Sequence, residues 1–199
     1  MPRAFAPLTF ALVGLSTAPA DAATLTVTVL DAQGRPLPDA VVAVEPRGQR
    51  SSAPAGSRAE MAQRGRAFDP ALLVVQTGTP VSFPNFDTVR HHVYSLSPVK
   101  RFEIKLYAGT PAQPEVFDKP GIAVLGCNIH DRMVSHIVVV DTPHFARTDA
   151  AGQAVLKLPA GEHQLLWWHA SLGIDAGLRR QPLPLAEPGR ALTLAAPAQ

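Results

Sequence analysis

The run Gly126-Cys127-Asn128-Ile129-His130-Asp131-Arg132-Met133 places a thiol, an imidazole and a thioether in one short loop, spaced Cys-x2-His-x2-Met. Cys127 is the only cysteine of the 199-residue chain. A soft thiolate, an imidazole nitrogen and a weak axial thioether are the donors of a mononuclear copper electron-transfer centre. Such a centre takes one more imidazole, and His91-His92 stands upstream, at the start of the stretch Val93-Tyr94-Ser95-Leu96. Neighbours on a strand point to opposite faces, so only one of the two can look at a shared ion.

The N-terminus bears on how the cysteine is read. Arg3, the apolar run Phe5 to Leu15 and the small residues ending in Ala20-Asp21-Ala22 read as an export signal over residues 1–22, cleaved near Ala22, with Ala18-Pro19-Ala20 as the other cleavage signature. The expected location is the periplasm. An exported protein pairs its cysteines, and one left over needs an explanation. An inert buried thiol, an intermolecular disulfide and a metal ligand are the choices, and the neighbouring His130 and Met133 favour the metal.

Composition narrows the rest. Hydrophobic residues make up 46% and charged residues 17%, which is a globular balance. The formal charge of +2 is too small and too scattered to suggest a nucleic-acid partner. Beyond the leader no segment is long and apolar enough for a membrane helix. No Gly-x-Ser-x-Gly elbow is present, and no second histidine-rich cluster, so an enzyme is not expected.

Short apolar runs between turn residues predict an all-β protein. Leu25–Leu30 and Val41–Val44 read as strands around a turn at residues 31–34, and residues 46–58 as a linker. Leu72–Val75, Val81–Phe83, Val93–Leu96, Phe102–Tyr107 and Ile122–Leu125 follow as strands. Val134–Val140 is nearly continuous in apolar residues and is expected to be central and buried on both faces. Ala154–Leu158, His163–His169 and Ala191–Ala195 close the chain.

The block from Ala59 to Val140 resembles the cupredoxins, the small blue-copper proteins. Phe68-Asp69-Pro70, Val74 to Asn85, His91-His92-Val93, Phe117-Asp118-Lys119-Pro120-Gly121, the cysteine loop and Val134 to Val140 carry the likeness. The loop spacing is that of the amicyanins, the shortest of the group, and the whole chain resembles methylamine-utilisation cupredoxins. The resemblance implies a Greek-key β-sandwich over residues 57–142. It implies one type 1 copper ion held by His91, Cys127, His130 and the axial Met133. The family's His-Asn-Val puts the ligand at His91 and gives His92 the Asn place, where it helps tie the ligand loops together. Redox protein partners would dock near His130.

The flanks follow a different pattern. Asp31-x-x-Gly34-x-Pro36-Leu37 and Asp149-x-x-Gly152 with Leu158-Pro159-x-Gly161 resemble a carboxypeptidase-regulatory-like sandwich. Residues 23–50 and 146–199 would form it as one discontinuous unit with the cupredoxin inserted. The expected function is a periplasmic carrier of single electrons. Copper trafficking or buffering, and a non-redox β-sandwich binding module of the cell envelope, are the rival readings.

Overall fold

The computed structural model describes residues 22–186 and 188–198. The expected leader, apart from Ala22, lies outside the described residues. The chain is all-β, with seventeen strands and one three-residue 3-10 turn among the described residues. No helix among them is long and apolar enough to cross a membrane.

In chain order the strands are β1 Ala22–Leu30, β2 Val41–Pro46, β3 Ala59–Glu60, β4 Ala62–Arg64, β5 Ala67–Asp69, β6 Leu72–Gln76 and β7 Thr79–Ser82. Then come β8 His91–Ser95, β9 Phe102–Tyr107, β10 Glu115–Phe117, β11 Gly121–Cys127, β12 Val134–Val140 and β13 Phe145–Arg147. The last are β14 Gln153–Pro159, β15 Gly161–Trp168, β16 Arg179–Leu185 and β17 Gly189–Ala195. They form sheets of order β14-β1-β17, β13-β2-β15-β16, β6-β12-β11-β8-β9 and β10-β7-β3, with β4-β5 as a separate hairpin.

The sheets are joined by three apolar cores. Leu25, Val27 and Val29 of β1 meet Val42, Val44, Leu165 and Trp167 in the first. The second lies between the five-stranded sheet and β10-β7-β3; it holds Phe83, Phe117, Leu125 and Ile137, together with Cys127 and Met133. The third joins the two halves of the molecule: Val41, Ala43, Leu166 and Trp168 face Leu72, Ile122, Val138 and Val140.

Burial patterns follow from this stacking. β14 alternates, with Ala154, Leu156 and Leu158 inward and the rest exposed, because only one face is covered. β2 and most of β12 are buried on both faces, because each lies between two cores. That is why Val41-Val42-Ala43-Val44 and Ile137-Val138-Val139-Val140 are unbroken apolar runs. The inserted strands leave β2 after Pro46 and return at β13. Residues 47–58 form no strand and are strapped down: Ser51 N–H donates to the Asp141 carbonyl at 2.9 Å and Ala53 N–H to Thr77 at 2.8 Å.

β16 was not expected from the sequence. Pro182 and Pro184 argue against a strand there, but β16 pairs only with β15 and lies at a sheet edge, where missing N–H groups are tolerated.

The third core also holds a histidine. The His136 ring on β12 lies 5.2 Å from the Trp168 ring, and Trp168 Nε1–H donates to the Gly173 carbonyl at 2.9 Å. Burial holds the His136 imidazole below its ordinary value. The unfolded chain therefore takes up this proton more readily, and stability falls as pH drops from about 7 through the lowered folded-state pKa. Thermal midpoints of metal-free protein, followed from pH 7.5 to pH 5, should fall less steeply in His136→Gln than in wild type. Equal slopes would remove His136 from the linkage.

A fragment of residues 57–142 loses the β2 and β15 face of the third core and exposes Leu72, Ile122, Val138 and Val140. Its thermal midpoint should lie at least about 5 °C below that of the full chain. Equal midpoints would mean that the shared core adds nothing to the inserted sheets.

Candidate metal centre

Strand register brings the first two side chains together. Cys127 is the last residue of β11 and pairs with Val93 of β8. His91 precedes Val93 by two residues, so it shares that face and reaches diagonally across the end of β11. Cys127 Sγ lies 3.7 Å from His91 Nδ1. Opposite His91, the ladder to β9 is irregular: His91 pairs with Tyr107 and Val93 with Ile104, so β9 carries one residue more than β8 there. Such bulges re-aim side chains beside sites.

The third side chain comes from the loop. Met133 N–H donates to the His130 carbonyl at 2.9 Å, which closes residues 130–133 into a tight turn. His130 folds back over the cysteine, with Nδ1 3.8 Å from Sγ and its ring centroid 5.0 Å from that of His91. The donor atoms of His91, Cys127 and His130 all lie within 4.8 Å of one another. Met133 is buried, 2% exposed, in the same apolar cluster as Cys127.

These distances are long for strong hydrogen bonds and suit a shared ion. Metal–sulfur and metal–imidazole bonds of about 2.3 and 2.0 Å, meeting at roughly 110–120°, hold S and N about 3.5–3.8 Å apart. His91 is fully buried and Cys127 is 5% exposed, so the sulfur is shielded from water, while His130 is only partly buried. One thiolate with two imidazoles suits a soft or borderline ion such as copper or zinc.

His92 turns the other way. Its Nε2 lies 3.0 Å from Glu103 Oε1, off the line of a hydrogen bond, and its ring meets Tyr94 edge-on at 6.1 Å. Tyr94 also covers Gly126: a Cβ at that position would sit 2.7 Å from Tyr94 Cζ, so any side chain before the thiol would have to displace the Tyr94 ring.

Behind His91 stands a residue that the sequence reading leaves without a role. His91 Nε2 lies 2.7 Å from Asp87 Oδ2. Asp87 also accepts from Gly65 N–H at 2.6 Å and Arg66 N–H at 2.9 Å. Burial pushes the Asp87 carboxyl up, but the N–H of Arg66, the His91 ring and the N–H of Gly65 outweigh it and hold it below the usual carboxylate value. An aspartate four residues before a candidate ligand histidine is the only sequence signal for it. Beyond this layer Tyr107 Oη lies 2.6 Å from Gln63 Oε1 and 2.7 Å from the Phe83 carbonyl oxygen. Burial pushes the Tyr107 phenol up and outweighs the hydrogen bond to Gln63, which lowers it.

A cleft of about 750 Å³ among Glu45, Arg47, Glu162 and Arg180 lies in the flanking sandwich and includes none of the candidate ligands.

No family model and no curated protein matches this chain. Its structure is similar to solved cupredoxins. A purple cupredoxin from Nitrosopumilus maritimus is 20% identical over 41% of this chain and 98% of that one, with a TM-score of 0.36. Amicyanin from Paracoccus versutus is 14% identical over 48% of this chain and 96% of that one, with a TM-score of 0.35. A copper-containing nitrite reductase from Thermus scotoductus SA-01 is 24% identical over 49% of this chain, with a TM-score of 0.41, and the match spans 26% of the reductase.

Zinc(II), which is redox-silent, probes the donor set directly. At a free concentration 100 times the dissociation constant it should stabilise the protein by about 2.7 kcal/mol. Cys127→Ser, His91→Gly and His130→Gly should each lose most of this gain in thermal midpoint, and His92→Gly should keep it. Loss in His92→Gly with retention in His91→Gly would transfer the role to His92.

Proposed function

We propose that the chain is an exported, periplasmic blue-copper protein that carries single electrons between redox proteins. His91, Cys127 and His130 would hold one type 1 copper ion, with Met133 as the weak fourth donor. The observation that carries this reading is the convergence of two imidazole Nδ1 atoms, at 3.7 and 3.8 Å, on the sulfur of the single buried cysteine. Copper bound there supplies a one-electron couple within reach of biological donors and acceptors.

The protein's part is to hold the donors still. Thiolate suits the reduced ion and imidazole suits both oxidation states. Cys127 is anchored at the end of β11 and His91 on β8, in the middle of a five-stranded sheet. Neither side chain has room to swing, so both states see nearly the same geometry and little rearrangement accompanies transfer.

His130 sits on the loop, and its partly exposed ring is the route to a partner. Ile129 and Val134, near it in the chain, are 47% and 54% exposed. They give the partner a small apolar contact, in keeping with the limited interfaces of transient redox encounters. The reading requires no catalytic residue. It agrees with the single, unpaired cysteine of the chain.

The mature protein with one equivalent of Cu(II) should show an intense visible thiolate-to-copper band, and Cys127→Ser should abolish it. Electron self-exchange should be fast, and the copper should resist a competing chelator over hours. A colourless Cu(II) complex would overturn the site. Slow self-exchange with prompt loss of copper would make the protein a trafficking or buffering module instead.

A further inference from the structure

Hairpin β4–β5 stands apart from the five-stranded sheet, and it is docked on the segment that leads into His91. Its turn residues Gly65 and Arg66 have φ of 60° and 61°, the conformation of a tight two-residue hairpin. Arg66 adopts this left-handed geometry without being glycine. Gln63 N–H donates to the Pro84 carbonyl at 2.8 Å and Phe86 N–H returns to the Gln63 carbonyl at 3.0 Å. The Arg64 guanidinium lies 3.8 Å over the Phe86 ring. Asp87 N–H donates to Asn85 Oδ1 at 2.9 Å, and the Asn85 amide donates to the Val89 and Tyr107 carbonyls.

All of this converges on one carboxylate. Three N–H groups face its two oxygens: Gly65 on Oδ1, and Arg66 and His91 on Oδ2. A carboxylate can only accept, so the contact fixes a proton on Nε2, and in the neutral ring that a metal requires the lone pair is on Nδ1, facing Cys127 Sγ. A negative charge on the outer nitrogen of a ligand histidine makes the inner one a better donor.

We propose that Asp87 is a positioning residue for the metal site. Clamped by the Gly65-Arg66 turn, it sets the tautomer and direction of the His91 ring and, through its charge, favours the oxidised over the reduced copper ion. The role in redox tuning rests on the blue-copper reading above; the role in ring positioning needs only a metal at His91.

Asp87→Asn isolates the charge. Its amide oxygen can still accept from His91 and Arg66, while the amide nitrogen then faces Gly65 N–H. In the full-length mature protein the variant should keep the visible copper band. It should shift the Cu(II)/Cu(I) equilibrium toward Cu(I) by roughly tenfold, a rise of about 59 mV for one electron. Affinity for Zn(II) should fall by about 10- to 100-fold. Proton NMR of the zinc-loaded wild type should show one slowly exchanging, strongly downfield His91 Nε2–H, which moves upfield in Asp87→Asn and is lost in Asp87→Ala.

A potential and a Zn(II) affinity both within twofold equivalents of wild type would overturn the proposal. If Asp87→Asn does not fold, the wild-type signal decides, and its absence overturns the proposal. If the wild type gives no blue copper, the electron-carrier reading and the redox tuning fail together, and the zinc affinity and proton signal decide the positioning role.

Discussion

A β-ladder dictates side-chain direction with a period of two, so the pairing of Cys127 with Val93 decides which residues of β8 can look at the sulfur. His91 shares the face of Val93 and reaches the sulfur. His92 falls on the other face and meets Glu103. A slip of one residue between β8 and β11 would exchange them and send Val93 out of the apolar core. The burial of Val93, Leu125 and Cys127 in one cluster resists that slip. The geometry of the candidate metal centre is thus a by-product of core packing, and the loop need only return His130 to a position already prepared.

The rest of the molecule makes that ladder rigid. β11 lies between β12 and β8, and the sheet that contains them is covered on both sides. Two-sided covering comes from the flanking strands, because β2 and β15 supply Val41, Ala43, Leu166 and Trp168 to the third core. Residues distant in sequence from the ligands therefore contribute to the stiffness of the sheet that carries two of them. For the proposed one-electron transfer this matters, since a site that cannot relax costs little to reorganise.

Asp87 extends the same logic outward. Imidazole has two nitrogens, and a metal site needs a particular one of them free. Here the outer nitrogen is taken by a carboxylate that is itself taken by the turn of a docked hairpin. The His91 ring, the carboxylate behind it and the hairpin turn behind that form a continuous polar chain, in which the ring Nε2 and the backbone N–H groups of Gly65 and Arg66 all meet Asp87.

Local residue chemistry made several features legible from the amino-acid order. The spacing of Cys127, His130 and Met133 places three donors in one loop whatever surrounds it. The uninterrupted apolar run ending at Val140 implies burial on both faces, and the alternation in Leu25–Leu30 and Ala154–Leu158 implies burial on one. Tertiary structure alone decided the rest. Adjacent histidines are chemically identical, and only the family resemblance pointed to His91; the physical distinction comes from the register against β11. Asp87 is an ordinary polar residue until a turn more than 20 residues earlier closes on it. β16, with its two prolines, becomes a strand only because β15 offers it an edge. In each case the deciding partner is remote along the chain, and the contact exists only once the sheets have stacked.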